Sequence, residues 1–155
     1  MSSCYEAVVR YCSYCCCCCR KLDGRKNNKG NQYTELASGN VHLINTMDKW
    51  DSKFGEAADE GKLMIINFSA SWSTPCRSIA KDYCDLADKY SSMIFLTVDV
   101  DELPELSTSW EIKATPTFFF LKEGGQVDKL VGADKVELQK KTAAIFELIS
   151  AAAKS

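Results

Sequence analysis

The residues Trp72-Ser-Thr-Pro-Cys76 are where residue type and spacing could do chemistry. A cysteine thiolate is a nucleophile toward disulfides. It is favoured where a helix begins, because unpaired N–H groups and the helix dipole present positive charge to it. The flanking residues supply such a start. Pro75 suits a first helical turn, where its missing N–H would be unpaired anyway. Ile79, Tyr83, Ala87 and Tyr90 follow at i, i+4, i+8 and i+11, which predicts a helix over 75–90. Ahead of it, Leu63-Met-Ile-Ile-Asn-Phe68 reads as a strand buried on both faces. Ser73 and Cys76 are thus expected at the mouth of a helix, just beyond the end of a central strand.

The elements that must hold this junction can be read in order. Val41–Ile44 is a short strand, and Thr46 can cap a helix carrying Trp50, Phe54, Ala57 and Ala58 on one face. Gly61 ends that helix. After the motif helix, residues 93–100 form a run apolar enough for a central strand. A short helix is expected over 103–110, then a strand at 117–121. Gly124-Gly125 turns the chain into an antiparallel partner at 126–131, and a last helix over 134–152 shows Leu138, Thr142, Ile145 and Ile149 on one face. The order β-α-β-α-β-α-β-β-α implies parallel early strands and a closing antiparallel hairpin, hence an α/β fold. The acidic run Asp99-Val-Asp-Glu102 reads as a solvated strand end, and the single His42 as an ordinary strand residue.

With 155 residues the chain supports one domain plus a tail. Its net charge of −2 is unevenly spread. Residues 1–34 carry six cations against two anions, leaving thirteen cations and nineteen anions for the rest. An acidic domain argues against nucleic acid as a partner. Seven of the nine cysteines (Cys4, Cys12 and Cys15 to Cys19) crowd the first nineteen residues. Cys76 and Cys84 would lie ~12 Å apart along one helix and cannot be bridged, so the domain suits a reducing compartment. No apolar run reaches the roughly 18 residues that a membrane span requires, and no secretory signal pattern is present. The expected location is the cytoplasm.

The basic, cysteine-rich start admits three uses. Thioester acylation of Cys15, Cys16, Cys17, Cys18 and Cys19, with Arg20, Lys21, Arg25, Lys26 and Lys29 against anionic lipid, would tether the chain to a membrane surface. Soft-metal binding is a second use, and a tail with no fixed role is the third. Ser at position 2 excludes N-myristoylation. Residues 22–40 are polar and aperiodic, so residues 1–38 read as a disordered extension and linker, with the domain over 39–155.

Several segments carry a resemblance in order and spacing. Trp72-Ser-Thr-Pro-Cys76, residues 98–102, Lys113-Ala-Thr-Pro-Thr117 and Lys129-Leu-Val-Gly-Ala133 are similar to those of plant h-type thioredoxins, specifically the branch with an N-terminal extension and a cysteine at its fourth residue, as Cys4 is here. The resemblance covers about residues 39–152 and implies a thioredoxin fold with a mixed central sheet flanked by helices. It also implies thiol–disulfide oxidoreductase chemistry in redox homeostasis, with protein thiols or disulfides as partners and no bound cofactor or metal.

Carried over position by position, the family's attacking cysteine falls on Ser73 and its resolving cysteine on Cys76. A serine hydroxyl cannot form a disulfide, so ordinary dithiol cycling is excluded. Cys76 remains for monothiol exchange, with glutathione or with Cys4 as a relay thiol brought in by the tail. Asn67 stands where most members keep a buried Asp, and an amide cannot act as a general base. Trp72, Thr74, Pro75, Ile112, Ala114, Thr115, Pro116, Gly132 and Ala133 match the peptide groove, with the Thr115–Pro116 bond expected cis. The rival reading is a non-catalytic binding module, an adaptor or holdase that uses this groove. In that reading Cys76 is a small, inert core residue, as Cys84 is expected to be.

Overall fold

A computed structural model of the protein describes residues 36–154, so Cys4 and Cys15 to Cys19 lie outside the described residues. The strands are β1 (Val41–Ile44), β2 (Leu63–Ser69), β3 (Ile94–Asp99), β4 (Thr117–Lys122) and β5 (Gly125–Val131). The helices are α1 (Met47–Asp59), α2 (Thr74–Lys89), α3 (Pro104–Ser109) and α4 (Lys135–Ala152). They follow one another in the order read from the sequence. The sheet order is β1-β3-β2-β4-β5, with β1 and β2 parallel to β3, and β4 antiparallel to both β2 and β5.

The period-two alternation of strand side chains splits the interior into two layers. Leu63, Ile65, Phe95, Phe118 and Phe120 face α2 and α4, meeting Ile79, Tyr83, Ala87, Leu138 and Ile145. Met64, Ile66, Phe68, Leu96, Val98 and Phe119 face α1 and α3, meeting Trp50, Phe54, Ala57 and Leu106. Strand β2 is buried along its whole length because both layers press on it. Tyr83 fixes α2 against the sheet, its hydroxyl lying 2.8 Å from the Leu96 carbonyl and 3.0 Å from that of Ile65. Cys84 is buried in the same layer.

The turns behave as their residues require. Gly61 and Gly124 take φ values of +61° and +77°, where a side chain would be strained. Thr46 caps α1 by accepting the Lys49 N–H, and Asp134 caps α4 by accepting that of Glu137.

Two local expectations are corrected. The acidic run at the end of β3 is solvated at Asp101 and Glu102 but not at Asp99, which is 1% exposed and accepts the backbone N–H of Asp101. Its side chain points inward with Thr97, at the end of a strand buried throughout. The packed chain also begins before Gly39, since Leu36 is 1% exposed against Cys76 and Ala80.

Candidate functional site

Strand register gathers the sequence-selected residues at one end of the sheet. Strands β2 and β3 finish together, with Ser69 opposite Asp99. Strand β4 starts there, with Phe68 opposite Thr117. The turn Ser71–Ser73 leaves β2 and the Thr115–Pro116 bond, which is cis, precedes β4. The Gly132 N–H donates to the Pro116 carbonyl at 2.8 Å, which brings Gly132 and Ala133 to the same end. Ala114 is exposed and Ile112 half-buried beside them.

Helix α2 starts one residue earlier than its periodicity predicts. Ser73 is the N-cap, Thr74 and Pro75 open the first turn, and Cys76 is the third helical residue. Ser73 makes no side-chain capping bond and is buried. Arg77 closes the turn from outside, with one guanidinium nitrogen 3.4 Å from the Ser71 carbonyl and the other 3.4 Å from Thr74 Oγ1. The thiol of Cys76 is fully buried.

Beneath this helix start the sheet turns polar. Asn67 and Ser69 on β2 pair in register with Thr97 and Asp99 on β3, and all four are buried. By alternation they lie on the α2 side, continuing the face of Ile65 and Phe95. Among the described residues, Asn67 Oδ1 and Ser69 Oγ are buried with no hydrogen-bond partner. Such burial costs free energy that apolar side chains would not. The sequence marked Asn67 for this site and Asp99 only within the acidic run. The others show only when the register aligns the two strands.

Trp72 is the opposite case. It is 67% exposed, yet its indole Nε1–H donates to Asp101 Oδ2 at 2.8 Å. A large apolar ring is thus held open to solvent by one polar contact from a loop 29 residues away. Replacing Asp101 by alanine should leave thermal stability nearly unchanged, because surface contacts of this kind contribute on the order of 0–1 kcal/mol. The freed indole should show lower fluorescence anisotropy against the fixed background of Trp50 and Trp110. Unchanged anisotropy would mean that the turn itself, not Asp101, orients Trp72.

A family model described as Thioredoxin matches residues 45–144. The chain belongs to the thioredoxin family. It is 58% identical over 115 residues to a Thioredoxin H-type of Populus jackii, an alignment covering 74% of this chain and 83% of that protein. It is also 46% identical over 138 residues to Thioredoxin-like protein CXXS2 of Arabidopsis thaliana, covering 89% and 87%. Among solved structures, a poplar wild-type thioredoxin h superposes with a TM-score of 0.68 at 59% identity, covering 70% of this chain and 97% of that one. The mixed sheet with helices on both faces is therefore the thioredoxin fold, and the h-type resemblance holds. Thioredoxins act on protein disulfides.

Proposed function

We propose that this thioredoxin-family protein works as a monothiol at Cys76, with Ser73 in the attacking position and unable to take part in disulfide exchange. Cys76 carries the reading, because it is the sulfur in the first turn of α2, just after the Trp72 turn. On a glutathionylated protein the thiolate of Cys76 attacks the glutathione sulfur. The old S–S bond breaks, the protein thiol leaves and takes up a proton, and Cys76 carries glutathione. A second glutathione thiolate attacks that bond, giving oxidised glutathione and restoring Cys76. One mixed disulfide and one glutathione thus yield one protein thiol and one glutathione disulfide. Cys4 is the internal alternative to the second thiol. Its thiolate would attack Cys76 of the mixed disulfide, expelling glutathione and closing a Cys4–Cys76 disulfide, which two external thiols then reduce.

The groove formed by Trp72, Thr74, Pro75, Ile112, Ala114, Thr115, Pro116, Gly132 and Ala133 would receive the target. The protein would be cytoplasmic and held at a membrane surface by acylation of Cys15 to Cys19, a reading supported by composition alone. Among the described residues, no helix is long and apolar enough to cross a membrane.

The test is turnover of a glutathionylated peptide by the full chain, by Cys76→Ser and by Cys4→Ser. Cys76→Ser should fall to the buffer rate. Loss in Cys4→Ser as well would assign the relay to the tail, and full activity there would assign resolution to glutathione. If the full chain does nothing above buffer, the monothiol reading fails. The complete burial of Cys76 favours one other reading, a groove that binds partners as an adaptor or holdase without turnover.

A further inference from the structure

We propose that residues 36–40 form a strap along α2 whose first residue, Leu36, is a lid over the Cys76 thiol. This inference rests on the reading that Cys76 is the reacting group, and it concerns how that group is controlled. Leu36, Cys76 and Ala80 form a small buried cluster of their own, apart from the two main layers. The Leu36 carbonyl accepts from Thr97 Oγ1 at 3.4 Å, which ties the lid to the polar floor beneath the helix start. Ala37 packs on the α2 and α4 layer.

At the far end the strap is pinned to the last part of α2. Asn40 Nδ2 donates to Asp88 Oδ1 at 3.0 Å. Gly39 sits at φ +61°, where an added Cβ would lie 2.9 Å from the same oxygen. Residues 38–41 close a turn, the Val41 N–H donating to the Ser38 carbonyl at 3.2 Å.

The strap is held more weakly than what it covers. It belongs to no helix or sheet, and among the described residues one leucine, one alanine and a few polar contacts secure it. Segments with so few buried contacts open locally at lower free energy than the domain unfolds. Such opening would uncover Cys76 while leaving β2, β3 and α2 packed. Residues 1–35, with most of the chain's cysteines, join the strap directly at Leu36.

The experiment is iodoacetamide labelling of the full native chain, followed by digestion and mass measurement. Trypsin places Cys76 in peptide 63–77 and Cys84 in peptide 82–89, so the two thiols of one helix report separately. Leu36→Ala should speed labelling of Cys76 by at least about tenfold while Cys84 changes much less, since only the local cover is removed. Leu106→Ala, in the opposite layer, should raise both thiols together as general destabilisation does. Parallel acceleration of both in Leu36→Ala would show access by global unfolding and overturn the lid, as would no acceleration of Cys76. Asp88→Ala removes the pin from the surface and threatens folding least. It should also speed Cys76, and failure to do so would count against the strap.

Labelling needs no turnover, so the two proposals fail separately. Faster labelling of Cys76 without glutathione exchange in any form would leave the lid standing and remove the monothiol function. Exchange by the full chain with unchanged labelling in both variants would do the reverse.

Discussion

Ser73→Cys should convert the protein into a dithiol reductase, with insulin-disulfide turnover rising by roughly two orders of magnitude or more. The estimate follows from replacing a hydroxyl that is essentially never ionised by a thiol that is partly thiolate at neutral pH. The geometry is in place: two residues separate the N-cap position from the third residue of α2, and the buried Cys76 follows the cap by less than one helical turn. Oxidation should then join the new thiol to Cys76 and lower the mass by two hydrogens. Turnover should rise with pH as the attacking thiol ionises, because the thiolate is the nucleophile. Adding Asn67→Asp should raise turnover further by supplying a general base beneath the helix start. The same change should lower thermal stability, because a carboxylate there is taken out of water. If Ser73→Cys forms no disulfide with Cys76, then Ser73 does not occupy the attacking position and the proposed reading of the site loses its basis.

That experiment depends on a junction largely legible in the sequence. Helix and strand faces followed from periodicity because each amphipathic element has one partner layer, so burial repeats at 3.6 or 2 residues. Phe118-Phe-Phe120 was readable as a strand interior because both faces are covered, and the structure sends Phe118 and Phe120 one way and Phe119 the other. What stayed hidden has no period. Leu36 is a lone apolar residue in a polar stretch, and only tertiary contact with Cys76 and Ala80 gives it meaning. Asp101 is exposed as read, but its contact with the Trp72 indole, 29 residues away, has no signature in the sequence. Thr97 merged into an apolar run and Asp99 read as part of a solvated acidic one, and their alignment with Asn67 and Ser69 needed the β2–β3 register. At the Trp72–Cys76 turn the resemblance singled out residues, but burial was not readable there: Ser73 is buried while its neighbour Trp72 is open.

The position of Cys76 depends in turn on how α2 is seated, and Tyr83 is the residue that seats it. Tyr83→Phe should cost about 1–3 kcal/mol at neutral pH, since it deletes a buried hydroxyl that lies within hydrogen-bond reach of two strand carbonyls. The rings of Phe95 and Phe118, 5.4 and 5.5 Å from that of Tyr83, would still hold the side chain in place. The hydroxyl effect can therefore be isolated from packing. Its alkaline behaviour supplies a second, independent check. Burial pushes the Tyr83 phenol well above its usual value, the neighbouring Cys84 adds to this, and the hydrogen bond to Leu96 opposes it. Below pH ~10 the phenol is protonated whether the chain is folded or not, so it contributes no pH dependence. Above that, the unfolded chain releases the proton while the folded chain keeps it. The unfolded state then binds fewer protons, and stability falls by up to about 1.4 kcal/mol per pH unit from this group. Phenylalanine has no proton to lose. The stability gap between the two proteins, measured by denaturant unfolding, should thus hold steady from pH 7 to 9 and narrow from pH 10 to 11. A gap that stays constant through pH 11 would mean that the phenol ionises equally well in the folded protein. In that case α2 would be held by its apolar face alone.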